Sequence, residues 1–261
     1  MDHHAISARC PRRVLWCESS PTLGDDVHEL LDGDCVESLE VIWSAGTFAM
    51  NSAVDVEHAL ASFDRSFSEL VSSCESHGST RVHLVSSAGA LGCPISNQRF
   101  AVLDSPYREI KAGEELRACA AHSSVRVHRV TSVFGTPGPT GRSGLVGALL
   151  ANALRAQETP LFARTVTMRN YIHADDVAEA LVRATESQDT GSTLLAAGRS
   201  HPMHEVVATA RGVLRRSIPV SYRTPMNDHD MVFDPRAVSA LVPQRPLAAG
   251  MRMVYDSLIS A

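Results

Sequence analysis

Four short apolar runs, each followed by a stretch with helical periodicity, constrain this chain more than any other feature of it. Arg13–Cys17, Glu40–Gly46, Arg81–Val85 and Val125–Val130 are each five to seven residues long and bounded by turn formers or small residues, which suits buried strands. Between them, Asp25–Leu31 carries Val27, Leu30 and Leu31 at helical spacing, and Val54–His77 sets Val56, Leu60, Phe63, Phe67 and Leu70 along one face. A third helical stretch ends near Ala121, and Leu145–Ala156 follows the fourth run. Strands alternating with helices predict an α/β fold built on a mostly parallel sheet flanked by helices.

The remainder is less regular. Thr136–Gly144 holds Pro137, Gly138, Pro139 and Gly141 and reads as a loop. A helix running to about Glu186 is expected after it, with Asp175 or Asp176 as its cap, and Thr193–Ala197 as a last core strand. From His201 onward, six prolines suggest a smaller, irregular helical lobe. The expected division is a core of residues 1–135 and 171–198, with residues 136–170 and 199–261 forming a substrate-binding lobe.

Charge and composition exclude several classes. A net charge of −5 over 261 residues, with no basic run, argues against nucleic-acid binding. No apolar stretch is long enough to span a bilayer and no signal-peptide pattern opens the chain, so a cytoplasmic protein with no membrane partner is expected. The six cysteines form no Cys-x-x-Cys pair and the twelve histidines no metal-binding spacing, so no metal site is expected. The histidines read as surface or core residues, and His3 and His4 as part of a frayed start.

Chemistry concentrates between Ser105 and Leu116. Lys111 is the only lysine in the chain, and it stands four residues after Tyr107, so that on a helix phenol and ammonium share a face. Making a tyrosine a base at neutral pH takes about three pKa units, roughly 4 kcal/mol, of which an adjacent cation supplies one to three units. The bland alternative is an amphipathic helix that buries the tyrosine and solvates the lysine.

Four segments together resemble the extended short-chain dehydrogenase/reductase family, the group that includes NAD-dependent nucleotide-sugar epimerases and dehydratases. They are Val85-Ser86-Ser87-Ala88-Gly89-Ala90-Leu91-Gly92, the Tyr107/Lys111 pair, Arg129-Val130-Thr131-Ser132-Val133-Phe134-Gly135, and Arg169-Asn170-Tyr171-Ile172-His173-Ala174-Asp175-Asp176-Val177-Ala178. The resemblance implies a Rossmann-like core and a smaller C-terminal substrate lobe. It makes Tyr107 the general acid/base, Lys111 the group that lowers its pKa and holds a cofactor ribose, and Ser87 the donor to the reacting oxygen. It places Gly24, Ala45 and Gly46 at a bound NAD or NADP. Ser132, Arg169 and Arg223 would hold a nucleotide-sugar substrate, and the long helices would pair two copies in a homodimer. The acidic pair used for dehydration is replaced by Ala88 and Gly89, which counts against that reaction.

The N-terminal part departs from the pattern. At the three glycine positions of the phosphate-binding turn stand Glu18, Pro21 and Gly24, so a carboxylate faces the pyrophosphate and one amide donor is lost. Only Asp32–Leu39 fills the space where two further strands and their helices belong, so the sheet is expected to be shortened, with Val14–Cys17 at or near its edge. Three readings follow: an NAD(P)-linked epimerase or ketoreductase, a cofactor-independent isomerase, lyase or cyclase using the same Tyr-Lys-Ser site, and a non-catalytic ligand-binding pseudoenzyme.

Overall fold

The computed structural model describes residues 6–9, 12–17, 38–44, 55–76, 78–91, 106–136, 144–189, 191–224 and 230–260. The chain divides into two compact units. Residues 1–92, 103–129 and 184–193 form the first, and residues 93–102, 130–183 and 194–261 the second.

The first unit is organised by a six-stranded sheet in the order β1-β2-β3-β4-β5-β10, from Ile6–Arg9, Arg12–Cys17, Ser38–Trp43, Ser79–Ser87, Val125–Val130 and Ser192–Leu195. The β2–β3 and β3–β4 pairs are parallel, with Val41 opposite both Leu15 and Val82. At the outer side of β2, β1 pairs antiparallel, Ile6 opposite Leu15. The expected near-edge position of Val14–Cys17 is therefore correct, and its covering comes from within the chain, by a strand at Ile6–Arg9; His3 and His4, expected in a frayed start, lie outside the described residues. An open edge leaves backbone N–H and C=O groups unpaired, and β1 satisfies them on β2.

Side chains alternate across this sheet, and its two faces differ in character. Leu39, Val41, Trp43, Val82, Leu84 and Val127 pack with Phe63, Phe67 and Leu70 of α1, Val56–Glu75. Trp43 meets Phe63 and Phe67 edge-on, at ring separations of 6.0 and 5.7 Å. Helix α1 begins where the Asp55 side chain accepts from the His58 amide at 3.2 Å, a cap worth about 1 kcal/mol.

The opposite parity carries a buried polar chain. Glu40 Oε2 and His83 Nε2 lie 2.9 Å apart, His83 Nδ1 and His128 Nε2 2.9 Å apart, and His128 Nδ1 and Thr193 Oγ1 2.7 Å apart. The other Glu40 oxygen takes Arg81 at 3.0 Å, and Arg126 donates to the carbonyls of Ala184 and Ser187. Burial, followed by the neighbouring His83 and Arg126, lowers the His128 pKa to about 3.

Helix α2, Pro106–Ala121, lies against α1. Pro106 opens it with a pre-set φ where its missing N–H costs nothing. A Cβ at Gly113 would stand 2.7 Å from a Leu60 methyl, so the glycine sets how closely the helices approach. Arg117 of α2 is paired with Asp64 of α1.

In the second unit, α3 (Gly144–Leu154), α5 (Met203–Leu214) and α6 (Leu247–Ser260) enclose a core that includes Leu149, Leu150, Val206 and Met251. Two of its short ladders are parallel: β6 (Ser132–Phe134) with β9 (Tyr171–His173), and β7 (Thr159–Leu161) with β12 (Val220–Tyr222). A third, β8 (Met168–Arg169) with β11 (His201–Pro202), is antiparallel. Helix α4, Ala174–Glu186, has Asp175 and Asp176 in its first turn rather than at its cap. Asp176 is buried and instead accepts from Arg245 at 2.8 Å. No described helix is long and apolar enough to cross a membrane.

Candidate active site

The groups singled out for catalysis all belong to the first unit. Ser87 ends β4, and the 3₁₀ turn Ala88–Leu91 follows it directly. Its hydroxyl oxygen accepts from the Gly89 amide at 3.1 Å, which leaves the hydroxyl hydrogen available to donate. Ser86, the preceding residue, is buried and committed elsewhere: it donates to Glu115 at 2.5 Å. Glu115 also receives Arg129, from Nε at 3.0 and 3.1 Å and from Nη2 at 2.6 Å. This fork ties α2 to β4 and β5 and fixes the face that the helix presents.

On α2, Tyr107 stands half-buried in the first turn and Lys111 follows one turn later, 8% exposed. Both residues lie on one helix at i and i+4, the spacing from which a shared face is expected. The sequence reading missed the partner of the ammonium. Lys111 Nζ donates to Glu114 Oε2 at 2.7 Å, with both side chains nearly enclosed, at 10% and 5% exposure. Burial pushes the Glu114 carboxyl up, and the Lys111 ammonium draws it partly back. Position i+3 was visible in the sequence, but spacing alone does not distinguish two acceptors within reach of one lysine.

Ser132, Arg169 and Arg223 belong to the second unit. Ser132 opens β6, its amide donating to the Asn170 carbonyl at 3.2 Å. Arg169, half-buried on β8, donates to the Met168 carbonyl at 3.0 Å. Arg223 is 58% exposed and paired with Glu158 at 3.4 Å. Gly24, Ala45 and Gly46, Glu18 and Pro21 lie outside the described residues, as does the helix expected at Asp25–Leu31. Among the described residues no three His, Cys, Asp or Glu side chains are grouped to hold a metal ion.

The sheet order bears on a dinucleotide. A Rossmann core opens its cofactor crevice where successive crossovers leave in opposite directions, and the strand beyond the first carries the carboxylate that reads the adenosine ribose. Here β2, β3, β4 and β5 follow one another in a single direction across the sheet, and the place beyond β2 is filled by the antiparallel β1. Among the described residues, no parallel strand lies beyond β2 in this sheet.

A family model described as the NAD dependent epimerase/dehydratase family matches residues 40–197, more than half of the chain. No curated protein matches the sequence. Solved structures with a similar fold include the UDP-glucose 4-epimerase of Thermus thermophilus in complex with NAD, 20% identical, covering 91% of this chain and 82% of that one at a TM-score of 0.70. The UDP-glucuronic acid 4-epimerase of Bacillus cereus, with UDP-glucuronic acid and NAD, is 15% identical over 92% and 80% of the two chains, with a TM-score of 0.72. The UDP-N-acetylglucosamine 4-epimerase of Methanobrevibacter ruminantium M1, with UDP-N-acetylmuramic acid, is 20% identical over 91% and 81%, at 0.66. At these identities the likeness is one of fold.

Proposed function

Because the chain belongs to the NAD dependent epimerase/dehydratase family, we propose that it is a short-chain dehydrogenase/reductase-type enzyme, an epimerase or ketoreductase acting on a nucleotide sugar or related polyol. What supports the reading is one arrangement: Ser87 at the end of β4, beside a helix that carries Tyr107 and the chain's only lysine one turn apart. Tyr107 takes the proton from a sugar hydroxyl and returns it to the carbonyl oxygen. Ser87, oriented by the Gly89 amide, donates to that same oxygen and holds it at the phenol. Lys111 stabilises the phenolate. NAD or NADP, when bound, supplies the hydride acceptor and donor. Lys111 and Tyr107 are the groups that would meet its nicotinamide ribose. Arg169 and Ser132 are proposed as substrate contacts, Arg223 as a phosphate contact in exchange for Glu158. A homodimer through α1 and α2 completes the proposal.

The sheet order favours a second reading, in which the same three groups move protons without a dinucleotide, as in an isomerase, lyase or cyclase. Incubation of the protein with UDP-hexoses and UDP-hexuronic acids, with and without added NAD or NADP, followed by proton NMR of the sugar ring, separates the two. Epimer formation that depends on added or co-purified dinucleotide supports the first; isomerised or eliminated product without any dinucleotide supports the second. No conversion of any sugar overturns both for this substrate class.

A further inference from the structure

Resting on the Tyr107/Lys111 reading, we propose that Glu114 is a positioning residue: its carboxylate fixes the Lys111 ammonium and offsets part of its field at the tyrosine. The contact differs from an ordinary helix-surface pair in its burial, with Lys111 and Glu114 each under a tenth exposed as residues. Holding an ammonium in a nearly closed site is costly without a counter-ion, and a carboxylate within hydrogen-bond reach offsets that cost. Glu114 Oε2, 2.7 Å from Nζ, supplies that anion. Glu115 is not a substitute, since its oxygens are taken by Arg129 of β5 and Ser86 of β4. On the same helix, Arg117 is paired with Asp64 of α1.

The arithmetic of donors suits a shared cation. An ammonium has three N–H donors, and Glu114 uses one. Among the described residues Glu114 is the acceptor shown for it, and the other two donors suit the phenol and a hydroxyl of a bound ligand. With the carboxylate present, Nζ is held on its helix and its charge at Tyr107 is attenuated. With it removed, the ammonium is freer and its field at the phenol stronger.

Lys111 is the only lysine, so protein made with ¹⁵N-lysine gives a single side-chain signal. In the wild type the ammonium protons are protected from solvent exchange; in Glu114→Gln they exchange about tenfold faster, as loss of one charge-assisted hydrogen bond requires. Glu114→Asp restores part of the protection. In turnover, the acid limb of the pH–rate profile of Glu114→Gln moves to lower pH by roughly half a unit to one unit, with KM nearly unchanged. Wild-type exchange at the rate of a free lysine overturns the pairing whether or not any variant folds. Faster exchange in Glu114→Gln with an unmoved acid limb overturns the positioning role and leaves a structural pair. If instead Tyr107→Phe retains full turnover while the lysine signal stays protected, the functional reading has failed and the ion pair has not.

Discussion

Replacing His128 by Gln tests the buried polar chain of the sheet, and its size follows from one perturbed group. His128 is enclosed between His83 and Thr193, with the Arg126 guanidinium nearby, and its pKa is lowered to about 3. The unfolded chain restores an ordinary imidazole near 6.5, so between pH 6.5 and 3 the unfolded state binds more protons than the native one. The stability of the neutral buried ring is complete above 6.5 and is lost as pH falls, at about 1.4 kcal/mol per unit. From pH 7 to pH 5 the loss is about 2 kcal/mol, which corresponds to a fall in Tm of roughly 4–8 °C. Trp16 and Trp43 are the only tryptophans and both belong to the unit that holds His128, so tryptophan fluorescence reads the correct transition. His128→Gln starts less stable at pH 7 and loses that much less on going to pH 5. Parallel pH dependence in wild type and variant would refute the assignment of the loss to this ring.

Two further outcomes follow from the geometry. Gly144 opens α3 at φ +64, and a Cβ there would lie 2.6 Å from the Val133 carbonyl oxygen, so Gly144→Ala destabilises the second unit by more than about 1 kcal/mol, read as a lower urea midpoint. Lys111→Arg keeps the charge but puts a planar, larger group into a nearly closed site beside Glu114, and turnover falls by at least about a hundredfold while the circular dichroism spectrum is retained. A fully active Lys111→Arg enzyme would count against the compact ammonium as the working group.

Much of the first unit was legible because its strands and helices have strong local patterns. Val125–Val130 was bounded correctly by the apolar run, and the end of α2 at Ala121 by loss of helical spacing. The first strand was not, since the four residues Ile6–Arg9 are too short a run to stand out and become a strand by pairing along β2. Asp176 resembled a cap because cap preference is a local signal, whereas Arg245, its actual partner, lies 69 positions away in sequence. His83 stands between Val82 and Leu84, and His128 follows Val127, a placement visible in the sequence. Only the sheet, by bringing β4 and β5 side by side, shows that they face each other. For the site, the spacing of Tyr107 and Lys111 was legible from helix geometry alone, while the choice of Glu114 as the ammonium's partner depended on burial.

The most direct test of the acid/base site compares wild type with Tyr107→Phe on the same nucleotide sugar, measuring binding by calorimetry and turnover by NMR of the sugar ring. Loss of the phenolic hydroxyl removes the proton acceptor and little contact area, so turnover falls by about 10²–10⁴ while affinity changes little. Equal turnover by the two proteins would contradict the account.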